Sequence, residues 1–316
     1  MNLNDDVLSD VLRMVQLKAC IYFIKEMPKP WGMDIPRSAN GPLHMVLDGE
    51  CVLRSAGQDY RLNAGDAILL PHGASHQMLD NPSTIPEPGP AMMERLFKQS
   101  TDVVGHGSTR MLCGHFEWDG EIDHPFFRDL PELIVIRDLY RGENAQTCKS
   151  IVDLITVETV DRDPGSTAIA DRIGEVLFIM ILRTWIIENT LDTGVFAAIN
   201  DARLSRALHY IHQESDREID LNILAQVAGM SRTAFAVRFR ETMGTPPAAY
   251  LKEWRMLNAR RLLLSTKLPV SQIVTRIGYT SDAAFVRAFK RRYGETPSKV
   301  RRKFFDQQSL ACTENG

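Results

Sequence analysis

ILAQVAGMSRTAFAVRFRETMGTPP, residues 223–247, returns in altered form as QIVTRIGYTSDAAFVRAFKRRYGETP, residues 272–297. From Ser231 onward the copies are offset by 50 positions: Ser231 with Ser281, Phe235 with Phe285, Phe239 with Phe289, Gly244 with Gly294, Pro247 with Pro297. Before the turn the offset is 49, Leu224 with Ile273 and Gly229 with Gly278, so the second turn has one extra residue. Each copy reads as a short helix, a tight glycine turn and a helix opened by a serine that caps a free backbone N–H. The phenylalanine pairs are spaced i, i+4 and share one inward face. That is a helix-turn-helix pattern, made twice. The outer faces carry Arg232, Thr233 and Arg240 in one copy, and Asp282, Arg287, Lys290 and Arg291 in the other. The segment between, from Pro247 to about Thr266, is rich in helix formers and predicts a rod of about 27 Å. Two readers on one rod could enter successive major grooves, about 34 Å apart on one face of DNA.

Charge follows the same division. Residues 200–305 hold 20 Lys and Arg against 9 Asp and Glu, while the rest of the 316-residue chain holds 17 against 31. An acidic part joined to a basic part suggests that one domain faces a polyanion and the other does not; a basic solvated face is the plainer alternative. The hydrophobic fraction of 44% is that of a globular protein, and the length suits two domains. No apolar run is long enough for a membrane span, and the polar, acidic start MNLNDDVLSD is unlike a secretory signal, so a cytoplasmic protein is expected. Cys20, Cys51, Cys113, Cys148 and Cys312 are odd in number and form no CxxC, which predicts thiols rather than a disulfide framework.

The stretch GYTSDAAFVRAFKRRYGETPSKVRR (278–302) resembles the C-terminal signature of AraC-type bacterial transcription regulators, and the resemblance covers about 205–304. It implies a seven-helix domain that binds double-stranded promoter DNA, in a family of regulators, activators among them, with RNA polymerase as a possible partner. By position, the base-facing residues fall on Thr233, Ala236 and Val237 in the first reading helix, and on Asp282, Ala283, Ala284 and Arg287, next to the cap Ser281, in the second. Arg232, Arg240, Lys290 and Arg291 are expected on phosphate, which carries no sequence information. Val237 departs from the arginine or glutamine common at its position, and Val274 from the usual alanine. Ala236 and Val237 offer only apolar contact, as to a thymine methyl, so the second copy with Arg287 is the stronger reader.

Residues 18–118 read as short strands separated by turn signals, with Asp48-Gly49 as a hairpin, SAGQD as a further turn and NPSTIPEPGP (81–90) as an exposed loop. Residues 124–192 read as helices, and the second, from about Ser166 to Asn189, is apolar on most sides, which suits core packing or a dimer interface. Within the first region, GDAILLPHGASH (65–76) fits the second cupin motif through Gly65, Pro71, Gly73 and His76. Together with KACIYF, PLHMVLDGECVL and LCGHFEWDG it resembles the cupin sensor domain attached to one branch of AraC-type regulators, which implies a β-barrel followed by helices. Enzymatic cupins hold a metal with three histidines and a carboxylate. Here the His-x-His pair is reduced to His44, followed by Met45 and Val46, and Glu50 follows the turn, so an open catalytic metal site is not supported.

If Cys20, His44, His76 and Cys113 converge, they form a Cys₂His₂ set that suits zinc, or a thiol switch. The alternative is that the cysteines are small buried hydrophobes and the histidines hydrogen-bonded barrel residues. His115 is a substitute ligand, Cys51 a weaker candidate, and His72 is expected to be exposed on its loop. Cys148 and Cys312 are taken as structural.

The expectation is an α+β chain: residues 1–195 a cupin-like sensor and dimerisation domain, 196–305 a DNA-binding domain with two helix-turn-helix units, and 306–316 an unstructured tail. It is expected to act as a homodimeric, sequence-specific transcription regulator without catalysis, answering a small molecule, a metal or an oxidant. Two rivals remain: a cupin metalloenzyme fused to a DNA-binding domain, and a nucleoid-type binder indifferent to sequence.

Overall fold

A computed structural model describes residues 6–15, 17–98, 108–118, 124–142, 144–161, 163–189 and 191–314. The chain divides into two compact units, and neither is a continuous stretch. One comprises residues 17–120 and 130–190; the other comprises residues up to 16, 121–129, and everything from 191 onward. A single boundary near 195 therefore does not separate them. The first helix, α1 (Val7–Val15), belongs with the C-terminal helices.

The strand-rich unit holds two five-stranded sheets. The strands are β1 (Lys18–Met27), β2 (Gly32–Ile35), β3 (Gly41–Asp48), β4 (Glu50–Ser55), β5 (Gln58–Asn63), β6 (Ala67–Leu69), β7 (His76–Leu79) and β8 (Glu87–Pro88). After a helix, α2 (Gly89–Lys98), comes β9 (Thr109–Glu117); the short helix α3 (Pro125–Arg128) and then β10 (Ile134–Ile136) follow. The sheet orders are β1-β9-β3-β6-β10 and β5-β4-β7-β2-β8. Phe23 and Met111 from one sheet and Leu53, Leu62 and Met78 from the other share a single buried cluster, so the barrel is filled with side chains.

Three sequence expectations change here. Asp48-Gly49 does not make a hairpin, because β3 and β4 lie in different sheets and the turn carries the chain from one to the other. The hairpin is β4–β5, closed at SAGQD, with Ser55 opposite Gln58 and both Ala56 and Gly57 at positive φ, as a two-residue turn with matching twist requires. The helix α2 interrupts a region read as strands, and β10 interrupts one read as helices.

Two long helices, α4 (Ala145–Asp161) and α5 (Ser166–Glu188), pack against β1. The close approach is made at Gly174, where a Cβ would stand 2.9 Å from the Ala19 Cβ and 3.0 Å from the Ile21 Cδ1. Asp171, one turn earlier on α5, accepts the Ile21 N–H at 3.0 Å, beside the bulge in β1 that breaks its pairing with β9.

The other unit is helical: α6 (Val195–Asn200), α7 (Ala202–Gln213), α8 (Leu221–Ala228), α9 (Arg232–Met243), α10 (Pro247–Ser265), α11 (Val270–Arg276), α12 (Asp282–Tyr293) and α13 (Pro297–Glu314). From α7 onward these are the seven helices expected. The last runs past residue 305, where an unstructured tail was expected to begin. Val274, in place of a smaller residue, is absorbed into the core formed by α10, α11 and α12. Among the described residues no helix is long and apolar enough to cross a membrane.

Gly73, in the cupin-like stretch, has φ +65°, and a Cβ there would lie 2.1 Å from the Ser38 carbonyl oxygen. Gly57 has φ +76° and open space around it. Gly73→Ala should therefore destabilise the chain by about 2–4 kcal/mol in urea unfolding, against about 1 kcal/mol for Gly57→Ala. Equal costs would show that the Ser38–Gly73 contact adjusts freely.

Candidate functional site

The second helices of the two helix-turn-helix units, α9 and α12, are built alike. Ser231 Oγ accepts the Ala234 N–H at the start of α9, and Ser281 Oγ accepts the Ala284 N–H at the start of α12, both at 3.3 Å. Gly229 ends α8 in the left-handed region, where a side chain would be strained, and this turns the chain into α9. Phe235, Phe239, Phe285 and Phe289 are fully buried, with ring centroids 5.6 Å apart in α9 and 5.5 Å apart in α12. Burying these pairs turns the other side of each helix outward. On α9, Arg232, Thr233, Val237 and Arg240 are exposed and Ala236 is half-buried. On α12, Asp282, Ala283, Arg287, Lys290 and Arg291 are exposed, as is the cap Ser281, and Ala284 is half-buried. The connecting α10 has 19 residues, a rod of about 28 Å.

Composition counts every arginine alike, whereas the fold sorts them. Arg206 donates to the Val227 and Ala228 carbonyls at the end of α8. Arg255 donates to the carbonyls of Ser215 (2.8 Å) and Arg217 (2.6 Å), and Arg301 to that of Leu263 (3.2 Å). Arg238, on a flank of α9, pairs with Asp201 through Nε at 2.6 Å. Burial raises the Asp201 carboxyl, but Arg238 and the N–H groups of Arg203 and Leu204 outweigh it and hold the carboxyl below its usual range. These four arginines hold the domain together, and no feature of the sequence marks them out.

In the barrel, three of the four metal or redox candidates meet. Cys113 Sγ lies 3.0 Å from His44 Nδ1, and His44 Nε2 lies 2.9 Å from His76 Nε2. His76 Nδ1 donates to the Ala74 carbonyl at 2.9 Å, which leaves its Nε2 as an acceptor. His44 Nε2 therefore carries the proton shared with His76, and His44 Nδ1 accepts from the Cys113 thiol. Every member of this chain is satisfied when neutral. Burial lowers both histidines below their ordinary range, His44 well below, and raises the Cys113 thiol well above its own. Burial also pushes the Cys51 thiol, in the same buried cluster, up to about 12.

Zinc requires its ligands around one point, at about 2.0–2.3 Å. His44 instead stands between its two partners and turns a different ring nitrogen to each, so His44, His76 and Cys113 do not enclose one ion as they are arranged. Cys20 stands apart. It lies opposite His115 in the β1–β9 register, is half-buried, and has its thiol raised by burial and by the charges of Asp171 and Glu117. The substitute His115 hydrogen-bonds Glu117 through Nε2 at 2.8 Å. His72 is half-buried rather than exposed, with Nε2 2.8 Å from the Leu130 carbonyl. Glu50 is exposed. Among the described residues no group of three or more His, Cys, Asp or Glu side chains is placed to hold a metal.

Cys51, Cys113 and Cys148 are buried, and Cys20 is partly open. The side chain of Cys312 lies outside the described residues. In a Cys312→Ser chain, a thiol reagent should label Cys20 on the native protein and the other three only on unfolding, read by mass spectrometry. Fast native labelling of Cys113 would show that the barrel opens readily.

Comparison with known proteins agrees with both halves. Residues 6–187 match the cupin family, and residues 224–303 match a helix-turn-helix domain family. An HTH-type transcriptional regulator of Haemophilus influenzae is 27% identical over 304 residues, covering 94% of this chain and 98% of its own. An AraC-like transcription regulator of Streptomyces lividans is also 27% identical, with the same coverage of both chains. The RCS-specific HTH-type transcriptional activator RclR of Escherichia coli is 24% identical, covering 82% of this chain and 84% of its own. The cupin match spans more than half of the chain, so it belongs to the cupin family, in the form that joins a cupin domain to an AraC-type helix-turn-helix domain and serves as a transcription regulator.

Proposed function

We propose that this regulator binds promoter DNA as a homodimer through the outer faces of α9 and α12, and that its barrel receives the signal. The observation that carries the DNA reading is the paired geometry: two serine-capped helices, each with a buried phenylalanine pair and an exposed outer face, joined by a rod of about 28 Å, near the roughly 34 Å between successive major grooves. Arg287 reads a base, and Thr233, Ala236, Val237, Asp282, Ala283 and Ala284 face base edges beside it. Arg232, Arg240, Lys290 and Arg291 neutralise phosphates. The chain works in the cytoplasm and catalyses no reaction, since the first cupin motif lacks its His-x-His pair. It activates transcription through RNA polymerase, a reading supported by the word activator in the name of the E. coli relative.

The effector we favour is a small molecule rather than zinc. Its single polar group would enter by opening the packed barrel and parting His44 from His76, accepting from the His44 Nε2–H or donating to His76 Nε2. Zinc would require the His44 ring to turn, and Cys20 to move in from its place opposite His115. Dimerisation uses the α4–α5 face, where Leu154, Val157, Val160, Ile169 and Val176 are exposed. A second copy of the same face is the simplest cover for them, because a two-fold interface matches a patch to itself.

Arg287→Ala should cost about 1–3 kcal/mol on a duplex selected by the wild-type chain, and should relax preference at one base pair. An equal loss on random duplex would make Arg287 a phosphate contact. Val157→Asp should convert a dimer to a monomer in sedimentation velocity while the far-UV circular dichroism spectrum stays that of the folded chain. A wild-type chain that is monomeric at high micromolar concentration would remove the dimer from this account.

A further inference from the structure

The helical unit contains a buried polar chain that DNA contact does not explain. His124 caps α3 by accepting the Phe126 N–H on Nδ1 at 3.1 Å, so its proton sits on Nε2 and is donated to Tyr250 Oη at 3.2 Å. Tyr250, on α10, donates to His212 Nε2 at 2.8 Å. His212, on α7, then keeps its proton on Nδ1, facing Asp10 Oδ2 of α1 across 3.4 Å. That last contact is long, but Asp10 is also held by His209 Nδ1 at 2.8 Å and Gln213 Nε2 at 2.5 Å. Asp10, His124, His212 and Tyr250 are all buried. Trp254 stacks on His212 at 3.6 Å between ring centroids.

The chain passes the buried side of a reading helix. Tyr250 meets Phe239 of α9 edge to face, with centroids 6.0 Å apart. A second route leads to the same helix: Asp129, just after α3, accepts the Val195 N–H at 2.7 Å, and the Gly194 N–H donates to the Thr242 carbonyl of α9 at 2.7 Å. Both α1 and α3 come from the stretch that matches the cupin family, yet both are built into the helical unit.

We propose that Asp10, His212, Tyr250 and His124 are positioning residues for the first reading helix, through which movement of α1 or α3 changes DNA affinity. The inference rests on α9 being a DNA reader. The chain is wired for neutral histidines. A proton on His124 Nδ1 would face the Phe126 N–H, and one on His212 Nε2 would face the Tyr250 hydroxyl. Burial keeps both histidines below their ordinary range, so protons bind first to the unfolded chain. Their stabilisation is present above about pH 6.5 and is lost as pH falls towards the lower folded values. Asp10 is held below its usual range by His212 and His209 against burial, so it stays charged throughout this window. The other charges bearing on the chain are Arg13, 3.7 Å from Asp10, Glu253 beside Tyr250 and Arg128 beside His124.

The test uses the full chain and a duplex selected by the wild type from a random library, with affinity read by fluorescence anisotropy from about pH 8 to about pH 5.5. Asp10→Asn and Tyr250→Phe should each weaken binding about tenfold near neutral pH, the scale of one lost buried charge-assisted hydrogen bond. The double variant should be no weaker than either single one. Wild-type affinity should hold across this range, because burial keeps both folded histidines neutral, whereas Tyr250→Phe frees His212 Nε2 to take a proton and should lose further affinity on acidification. If Asp10→Asn does not fold, Tyr250→Phe and its pH profile decide alone, because phenylalanine keeps the ring on Phe239 and Trp254. Wild-type affinity and wild-type acid profile in variants that melt earlier would make the chain mere packing and overturn the proposal, as would losses that add in the double variant. A wild-type chain that enriches no duplex would instead overturn the DNA-binding reading itself.

Discussion

Everything outward on the reading helices depends on what is turned inward. A helix presents a fixed set of directions, so burying Phe235 with Phe239, and Phe285 with Phe289, decides which residues remain for a partner. Each fully buried aromatic contributes about 1.5–3 kcal/mol. No pairing of exposed arginines with solvent or counter-ions competes with that, and the orientation of the basic face follows from the apolar one. The serine caps then fix where each helix begins, and hence how far along its axis the outward residues stand.

This is why the helical half was legible in the sequence. Helix-turn-helix units are local: cap, turn glycine and i, i+4 aromatics lie within about 25 residues, and their repetition reinforced each signal. The strand-rich half was legible only as a class. The partner of a strand is chosen over long distances, and Asp48-Gly49 carries the same turn chemistry whether it closes a hairpin or leads from one sheet to the other. The assignment of α1 was beyond reach for a related reason. A nine-residue amphipathic helix shows that it needs a partner, but not that the partner is Asp10's cluster of side chains about two hundred residues away.

In the barrel, burial decides the chemistry of the residues that the sequence singled out. His44, His76 and Cys113 meet in a hydrogen-bonded chain, and the histidines are the bonded barrel residues of the alternative reading. Desolvation disfavours every charged form there, and the hydrogen bonds close on neutral tautomers without an ion. Cys20 failed to join because its neighbours are set by the β1–β9 register and by Asp171 on α5, neither of which a list of ligand types can express.

The discontinuous make-up of the helical unit bears on how such proteins can be recombined. A chimera cut near residue 195, the place a sequence map would choose, keeps every helix-turn-helix residue but severs Asp10 and His124 from His212 and Tyr250. The transplanted piece would keep the Tyr250–His212 hydrogen bond but lose the partner at each end of it, His124 at the phenol and Asp10 at the imidazole. The graft that preserves the unit carries α1 and residues 124–129 with it, so the natural module for exchange is a set of three segments.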